Sequence, residues 1–326
     1  MSLLRPSALL NLDGQELTSA EAAALLITVS LSVGTEHDGV EILAWPDSKL
    51  SAAGPGSTLE VSLGHAGEEE LVWTGEVRSV VQSPEGLALE GLAPSYALSR
   101  QYRSQTFLKQ TAGDIARDLA GEIDVGEVGA DVELEAYAVD DRRSIWAHLH
   151  ELARLTGSEV GSDPEGGLRF VPPREGSADV KVRYGADLLR WELSAAAAGT
   201  PAAVAALGSA SEEGAEKWHW LRHDPVPSAG DSPTSVVATF RTRDAADALA
   251  ERLAGSAARA AMSGEVTIVG RPEVRPGDLL EVQDLSPDPG ILRVLGVRHV
   301  LDGRAGFVTT LRVEGEGGGG LGGLLP

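Results

Sequence analysis

The sequence predicts an α+β chain, mainly β, in which two related antiparallel β-barrels flank a small α/β unit and a helix is inserted in the second barrel. Three observations lead there. Short apolar runs, separated by turn residues, fill both ends of the chain. Two segments of helical period lie between them. And PGSTLEV at Pro55–Val61 returns as PGDLLEV at Pro276–Val282, with five of seven positions kept.

The first barrel is expected over residues 1–100. Its strands are LITVSLSV, VEILAW, TLEVSL, ELVWTGEVRSVVQ and GLALEGL, between Leu26 and Leu92. Ser83–Gly86 reads SPEG, with proline second and glycine fourth as in a type I turn, so the flanking strands form a hairpin. Ahead of them, MSLLRPSALLNLDGQ has one arginine and an apolar run broken by Pro6, which does not read as a Sec signal. No later window approaches the roughly 20 apolar residues of a membrane span.

The α/β unit is expected over 101–175. Thr111 and Asp114 form a capping box ahead of Ile115, Leu119 and Ile123. A second helix, from about Ser144 to Thr156, places Ile145, Leu149, Leu152 and Ala153 on one face, with Gly157 as its stop. EVGSDPEGGLRFVPP then reads as a strand or hairpin.

The second barrel is expected over 176–314. VKVRYG and LLRWEL open it, and an Ala/Gly-rich stretch at 195–215 interrupts it as a surface insertion. A helix at about 243–262 carries Ala246, Leu249, Ala250 and Leu253 on one stripe. EVTIVG, LLEVQ, ILRVLGVRHVL and FVTTLRVEG complete the set, and residues 315–326, GEGGGGLGGLLP, have the composition of a flexible tail.

The internal repeat extends further. VRSVVQSPEG at Val77–Gly86 aligns with VRHVLDGRAG at Val297–Gly306 after a one-residue change in spacing, so two matches occur in the same order. On this alignment His299 corresponds to Ser79.

Composition removes several functions. With 49 acidic and 27 basic residues the net charge is −22, which repels phosphate backbones and anionic lipids and argues against a nucleic-acid reader. The absence of cysteine excludes disulfides, thiolate catalysis and cysteine-ligated zinc. The chain has no GxSxG elbow, P-loop or GxGxxG.

The remaining candidates for chemistry read as scaffold. His299 and Asp302 could form a catalytic pair, but His299 shares a strand face with Leu295, Val297 and Leu301, and Asp302 precedes a glycine turn. His219 and His223 have metal-pair spacing, yet Trp220 stands where a zincin has glutamate and Pro225 and Pro227 follow. His148 and His150, two apart on a helix, point to different faces. Asp140–Asp141 and Glu68–Glu70 read as a helix start and a solvated loop. No catalytic, cofactor-binding or metal-binding residue is assigned.

The segments RTRDAADALAERLAGSAARAA, GEVTIVGRPEVRPGDLLEV and GILRVLGVRHVLDGRAGFVTTLRV resemble the phage late control D family. These are baseplate hub proteins of contractile tails, related to the N-terminal half of type VI secretion spike proteins. YRSQTFLKQTAGDIARDLA, SIWAHLHELARLTGSEV and GGLRFVPP fit the middle of that pattern. The likeness is strongest over Arg241–Glu314, weaker over Tyr102–Val171, and a matter of layout in the first hundred residues. It departs at Ile291 and Leu292, where family members often carry an aromatic residue.

The resemblance implies tube-like barrels in a non-enzymatic homotrimer. Three chains would present a pseudo-sixfold ring to a hexameric inner tube above and bind a separate trimeric spike below, among other baseplate proteins. No cofactor, specific nucleic-acid binding or membrane insertion is implied, and assembly would begin in the cytoplasm before incorporation into a phage tail or injection particle. The acidic balance adds the expectation of a negative lumen, and His299 is expected to anchor assembly. Two rival readings remain. One is a carbohydrate-active or peptidoglycan-degrading enzyme using carboxylates at Asp302 or Asp140–Asp141; the other is a monomeric carbohydrate- or receptor-binding β module.

Overall fold

A computed structural model describes residues 5–196 and 243–315 and, between them, 203–206, 234–237 and 239. The first strands are β1 (Pro6–Leu12), β2 (Gln15–Thr18), β3 (Ala24–Ser32), β4 (Gly39–Ala44), β5 (Thr58–His65), β6 (Glu68–Ser83) and β7 (Gly86–Leu92). The middle unit holds β8 (Gln105–Thr111), α1 (Ala112–Ala120), β9 (Val125–Val128), β10 (Glu133–Val139), α2 (Ile145–Thr156), β11 (Glu159–Ser162) and β12 (Leu168–Val171). The last part contains β13 (Val180–Arg183), β14 (Leu188–Ala195), β15 (Ala203–Ala206), β16 (Thr234–Val237), α3 (Arg243–Ala260), β17 (Met262–Val269), β18 (Leu279–Gln283), β19 (Ile291–Asp302) and β20 (Gly306–Gly315).

The fold is α+β and mainly β, as the sequence predicts. One 13-stranded sheet runs in the order β14-β17-β20-β19-β3-β4-β7-β6-β5-β1-β2, with β18 pairing β19 and β13 pairing β18. Its middle is an antiparallel run of two four-strand blocks, β14-β17-β20-β19 and β3-β4-β7-β6, joined where β19 pairs β3.

The N-terminal hairpin of β1 and β2 is absent from the sequence reading. Pro6 opens β1, a position where its missing N–H costs no ladder bond. Asp13 (φ 50°) and Gly14 (φ 85°) then make a two-residue turn with both residues left-handed. The Asp-Gly dipeptide between Leu12 and Leu17 is the signal that could have revealed it.

The two helices of the middle unit begin and end where their local chemistry requires. The Thr111 side chain accepts from the Asp114 amide at α1, and that of Ser144 accepts from the Ala147 amide at α2. Gly157 ends α2 in the left-handed conformation, and Gly121 (φ 64°) ends α1 before Ile123. Ile123 still packs against the middle core. The stripe on α3 points the same way: Leu249 is fully buried there, with Ala250 and Leu253 against it, so a helix inserted between strands of the last part serves the middle unit. The side chain of Ala246 and most of 195–215 lie outside the described residues.

The duplication is real, but its second half has a different register. Gly56 donates to the Val77 carbonyl (2.9 Å) and Val77 to that of Ser57 (2.9 Å). In the second block Gly277 donates to Val294 (2.7 Å) and Val294 to Asp278 (2.9 Å). PGSTLEV and PGDLLEV therefore correspond residue for residue, with Gly56 (φ 92°) and Gly277 (φ 95°) in one backbone state. Val77, however, corresponds to Val294 and not to Val297. Each hairpin has its bulge just after that valine, between Val77 and Ser79 in β6 and between Val294 and Gly296 in β19. The counterpart of His299 is thus Gln82, not Ser79, and the β19–β20 hairpin reaches further before turning. The bulge also removes Leu295 from the face expected to hold it beside His299.

The other strands repeat too. Leu25 and Leu189 occupy matching irregularities in β3 and β14, and Glu41 and Glu265 match in β4 and β17. The duplication differs at its margin: β1 runs antiparallel to β5, whereas β13 runs parallel to β18.

Two apolar cores result. One is continuous through both blocks and includes Leu10, Ile27, Ile42, Trp73, Leu89, Val266, Leu292 and Leu311. The other fills the middle unit around Ile115, Leu119, Leu149, Leu152 and Phe170.

Candidate interaction surfaces

The sequence candidates are dispersed. His299 is fully buried, and its Nδ1 lies 3.0 Å from the Thr309 hydroxyl, with the Phe307 ring centroid 5.8 Å away. Burial, then the positive Arg275 nearby, pushes its pKa down to about 3, against an opposing contact with the Val274 backbone. A neutral imidazole in the sheet interior serves packing. Asp302 instead turns to its own loop, where its carboxylate accepts from the amides of Arg304 (2.6 Å) and Ala305 (2.5 Å), which hold its pKa below the usual range.

His148 and His150 are separated as expected. Arg143 donates toward Nδ1 of His148 (3.4 Å), and Nε2 lies 2.9 Å from the carbonyl and 3.2 Å from the amide nitrogen of Asp140. Asp140 pairs with Arg142 at 2.7 Å, and Glu69 accepts from the Ser7 hydroxyl. His219 and His223 lie outside the described residues. Among the described residues no group of three or more metal-ligating side chains converges.

The structure reveals instead how three distant stretches of chain meet. At the junction of the first block with the middle unit, Trp146 on α2 donates its Nε1–H to the Thr35 carbonyl (2.8 Å). Its ring lies 4.6 Å from His37 and 4.6 Å from His150. His37 contacts the hydroxyls of Ser95 (3.2 Å) and Ser99 (2.6 Å). Burial lowers the pKa of His37 and takes that of His150 down to about 4.

Beside them Asp38 is 5% exposed and accepts from the Ser32 amide at 2.7 Å. Burial pushes its carboxyl up to about 7, against the lowering effect of the Ser32 and Ser162 amides and of Arg275. Arg275 comes from the second block and donates to the Leu71 carbonyl on β6 (2.7 Å).

The junction of middle unit and second block is ionic. Arg293 on β19 and Glu159 on β11 form a buried ion pair, and Arg169 on β12 stands 3.8 Å from the same carboxylate. Gly277 passes so close that a Cβ there would sit 2.8 Å from Glu159 Oε2.

Opposite the shared core, the sheet presents a polar, concave face. Arg190, Glu192, Glu265, Arg298 and Arg312 line a hollow of about 440 Å³ across β14, β17, β20, β19 and β3. The pairing register explains the pattern: Glu192 faces Glu265, Glu265 faces Arg312, and Arg298 sits between Thr310 and Ser30. A second hollow, of about 630 Å³, lies where Glu76 and Arg78 on β6 meet Tyr96, Glu122 and Glu165. Arg78 covers the Tyr96 ring at 4.8 Å. Both hollows are rimmed by charged side chains.

No family model and no curated protein matches the sequence. Solved structures do match the fold. A tail protein from Neisseria meningitidis MC58 superposes with a TM-score of 0.72 at 16% identity, over 95% of this chain and 96% of that one. The 43 kDa tail protein of prophage MuSo2 from Shewanella oneidensis gives 0.66 at 15% identity, over 95% and 98%. An E. coli component of the type VI secretion system, described as structurally similar to the T4 phage tail proteins gp27 and gp5, gives 0.58 at 9% identity, over 90% and 73%. The chain thus has the fold shared by these phage tail proteins and the type VI secretion component, the fold that the sequence resemblance to baseplate hubs implies.

Proposed function

We propose that this protein is the baseplate hub of a contractile phage tail or of a related injection system, a homotrimer that adapts a hexameric inner tube to a trimeric spike. The coarse part, a structural role in a tail, is supported by the tail proteins that share its fold. The finer part is carried by one observation: a single chain contains the same four-strand block twice in one sheet. Three such chains offer six near-equivalent blocks to a sixfold tube while remaining threefold toward a spike. The duplication favours this role over a monomeric binding module, and the candidate carboxylates Asp302 and Asp140, each bonded within its own turn, favour it over a glycosidase built on them, which needs two carboxylates flanking one bond.

The test is the mass of the assembly in solution, alone and with the tube and spike proteins encoded nearby. Three chains, bound to both partners, are expected. A chain that stays monomeric in every mixture would remove the hub assignment. Catalytic turnover on glycans or peptidoglycan, lost on substituting Asp302 or Asp140, would replace it with an enzyme.

A further inference from the structure

The polar hollow across β14, β17, β20, β19 and β3 holds charges that the fold does not use. Glu265 on β17 stands opposite Arg312 on β20, yet the two form no ion pair, and among the described residues neither has another charged partner. Arg312 instead crosses β19 at Gly296, where a Cβ would lie 3.5 Å from its Nη2, and donates to the Ser32 hydroxyl on β3 (3.2 Å). Arg298, next along the same face of β19, forms no ion pair among the described residues either. Neighbouring arginines are treated differently: Arg190 holds Glu192 (3.2 Å), Arg259 holds Glu314 (3.2 Å), Arg271 holds Asp187 (3.3 Å) and Arg293 holds Glu159.

The duplication supplies an internal comparison. The step that sets Gly296 opposite Arg312 sets Ser79 opposite Glu90, and the step that sets Arg298 opposite Thr310 sets Val81 opposite Ala88. Glu265 keeps its counterpart in Glu41. The same framework therefore folds with valine and glutamate where the second block carries two arginines, so strand pairing does not account for them. Like charges set side by side on a sheet destabilise it. An anion held between them would turn that cost into a contact.

Hydroxyls complete the surroundings. Ser32 Oγ already accepts from Arg312 and from the Gly34 amide (2.9 Å), which leaves its own proton free to donate. Thr310, opposite Arg298, shares a hydrogen bond with Thr267 (3.3 Å). We propose that this hollow docks an extended polypeptide segment of a partner, with Arg298 and Arg312 holding an acidic side chain and Glu265 holding a basic one. The two charge centres lie two strands apart, roughly 10 Å, which is about three residues of extended chain. A nucleic acid fits poorly, because a uniformly negative backbone that meets the arginines also meets Glu265, Glu192 and Glu36. The site lies within one chain, so it goes beyond the hub reading and does not depend on the number of copies.

The probe is the end-labelled peptide Gly-Ser-Asp-Asp-Gly-Lys-Lys-Ser-Gly, followed by fluorescence anisotropy at low ionic strength. Arg298→Val with Arg312→Glu installs the residues that the first block carries at these positions, and should weaken binding about tenfold or more, the scale of a lost charge-assisted hydrogen bond. Arg298→Gln and Arg312→Gln singly should weaken it less, and they decide the matter if the double variant does not fold. Glu265→Gln should weaken the peptide but leave a version with serine for lysine unaffected. No binding to the parent, or equal binding to parent and variants, would overturn the site. Tighter binding of oligothymidylate, or loss of the peptide to an equal concentration of inorganic phosphate, would overturn the peptide as its occupant. A monomer that binds the peptide would keep this site and remove the hub; a trimer that does not would remove only the site.

Discussion

Replacing Glu159 by alanine tests how the middle unit is held to the second block. Arg293 is 5% exposed and Glu159 7%, so the guanidinium would keep its burial and lose its counter-ion. Arg169 would lose its buried partner too, keeping Glu127 at 3.7 Å and the Pro276 carbonyl at 3.2 Å. Breaking a buried pair from one side costs about 3–5 kcal/mol. At about 2 °C per kcal/mol for a chain of this size, the melting midpoint should fall by roughly 6–10 °C. Removing both charges at once, Glu159→Leu with Arg293→Met, leaves only Arg169 short of a partner, still held by Glu127 and the Pro276 carbonyl, and should return stability to within about 2 kcal/mol of the parent. The assay is a double-mutant cycle by urea denaturation with a thermal melt beside it. Single variants costing under about 1 kcal/mol, or costs that simply add, would show that the pair does not fasten the two units.

Three further outcomes follow from burial. His299 has a folded pKa of about 3, below its unfolded value near 6.5, so the unfolded chain takes up the proton first and stability is lost as pH falls through that window. His299→Gln should flatten that part of the acid limb, measured as unfolding free energy against pH; an unchanged slope would place the histidine in contact with solvent. Asp38 has the opposite sign: its folded pKa of about 7 lies above the unfolded value, so its contribution weakens as pH rises from about 4 to 7. Asp38→Asn should remove that decline, and equal slopes in both proteins would contradict it. Gly277→Ala should destabilise by about 1–3 kcal/mol through its positive φ, with crowding of Glu159 adding to the cost. Gly303→Ala, where a Cβ meets nothing within 4 Å, should stay within about 1 kcal/mol, and comparable losses in both would refute the distinction.

The elements that sequence reasoning located best are those whose chemistry is local. Thr111 with Asp114, and Ser144 with Gly157, each fix a helix terminus by contacts a few residues apart. The first half of the duplication was legible for the same reason, since a Pro-Gly turn dictates the strand behind it. The second half was misaligned because β19 places valines at 294, 297 and 300, so the Val-x-x-Val of Val77–Val80 fits it in two registers. Only backbone hydrogen bonds and the coincident bulges decide between them. The junction residues were illegible for another reason. Asp38, Trp146, Glu159 and Arg275 have partners dozens to hundreds of residues away, and nothing in their own neighbourhoods marks them as buried.

The length of the antiparallel run sets a calibre. From β14 to β6 each chain lays eight strands side by side, so three chains joined edge to edge would form a wall of about 24. At roughly 4.8 Å per strand the wall measures about 115 Å around its strands. With the tilt of about 35–45° usual in closed sheets, opposing backbones would stand roughly 45–50 Å apart. Lining side chains would leave on the order of 35–40 Å clear. A compact domain of about 100 residues has a radius of gyration near 13 Å and measures ~34 Å across. Strand number would thus act as a size gauge: an extended chain or one small folded domain in single file could travel through, and anything broader would have to unfold first.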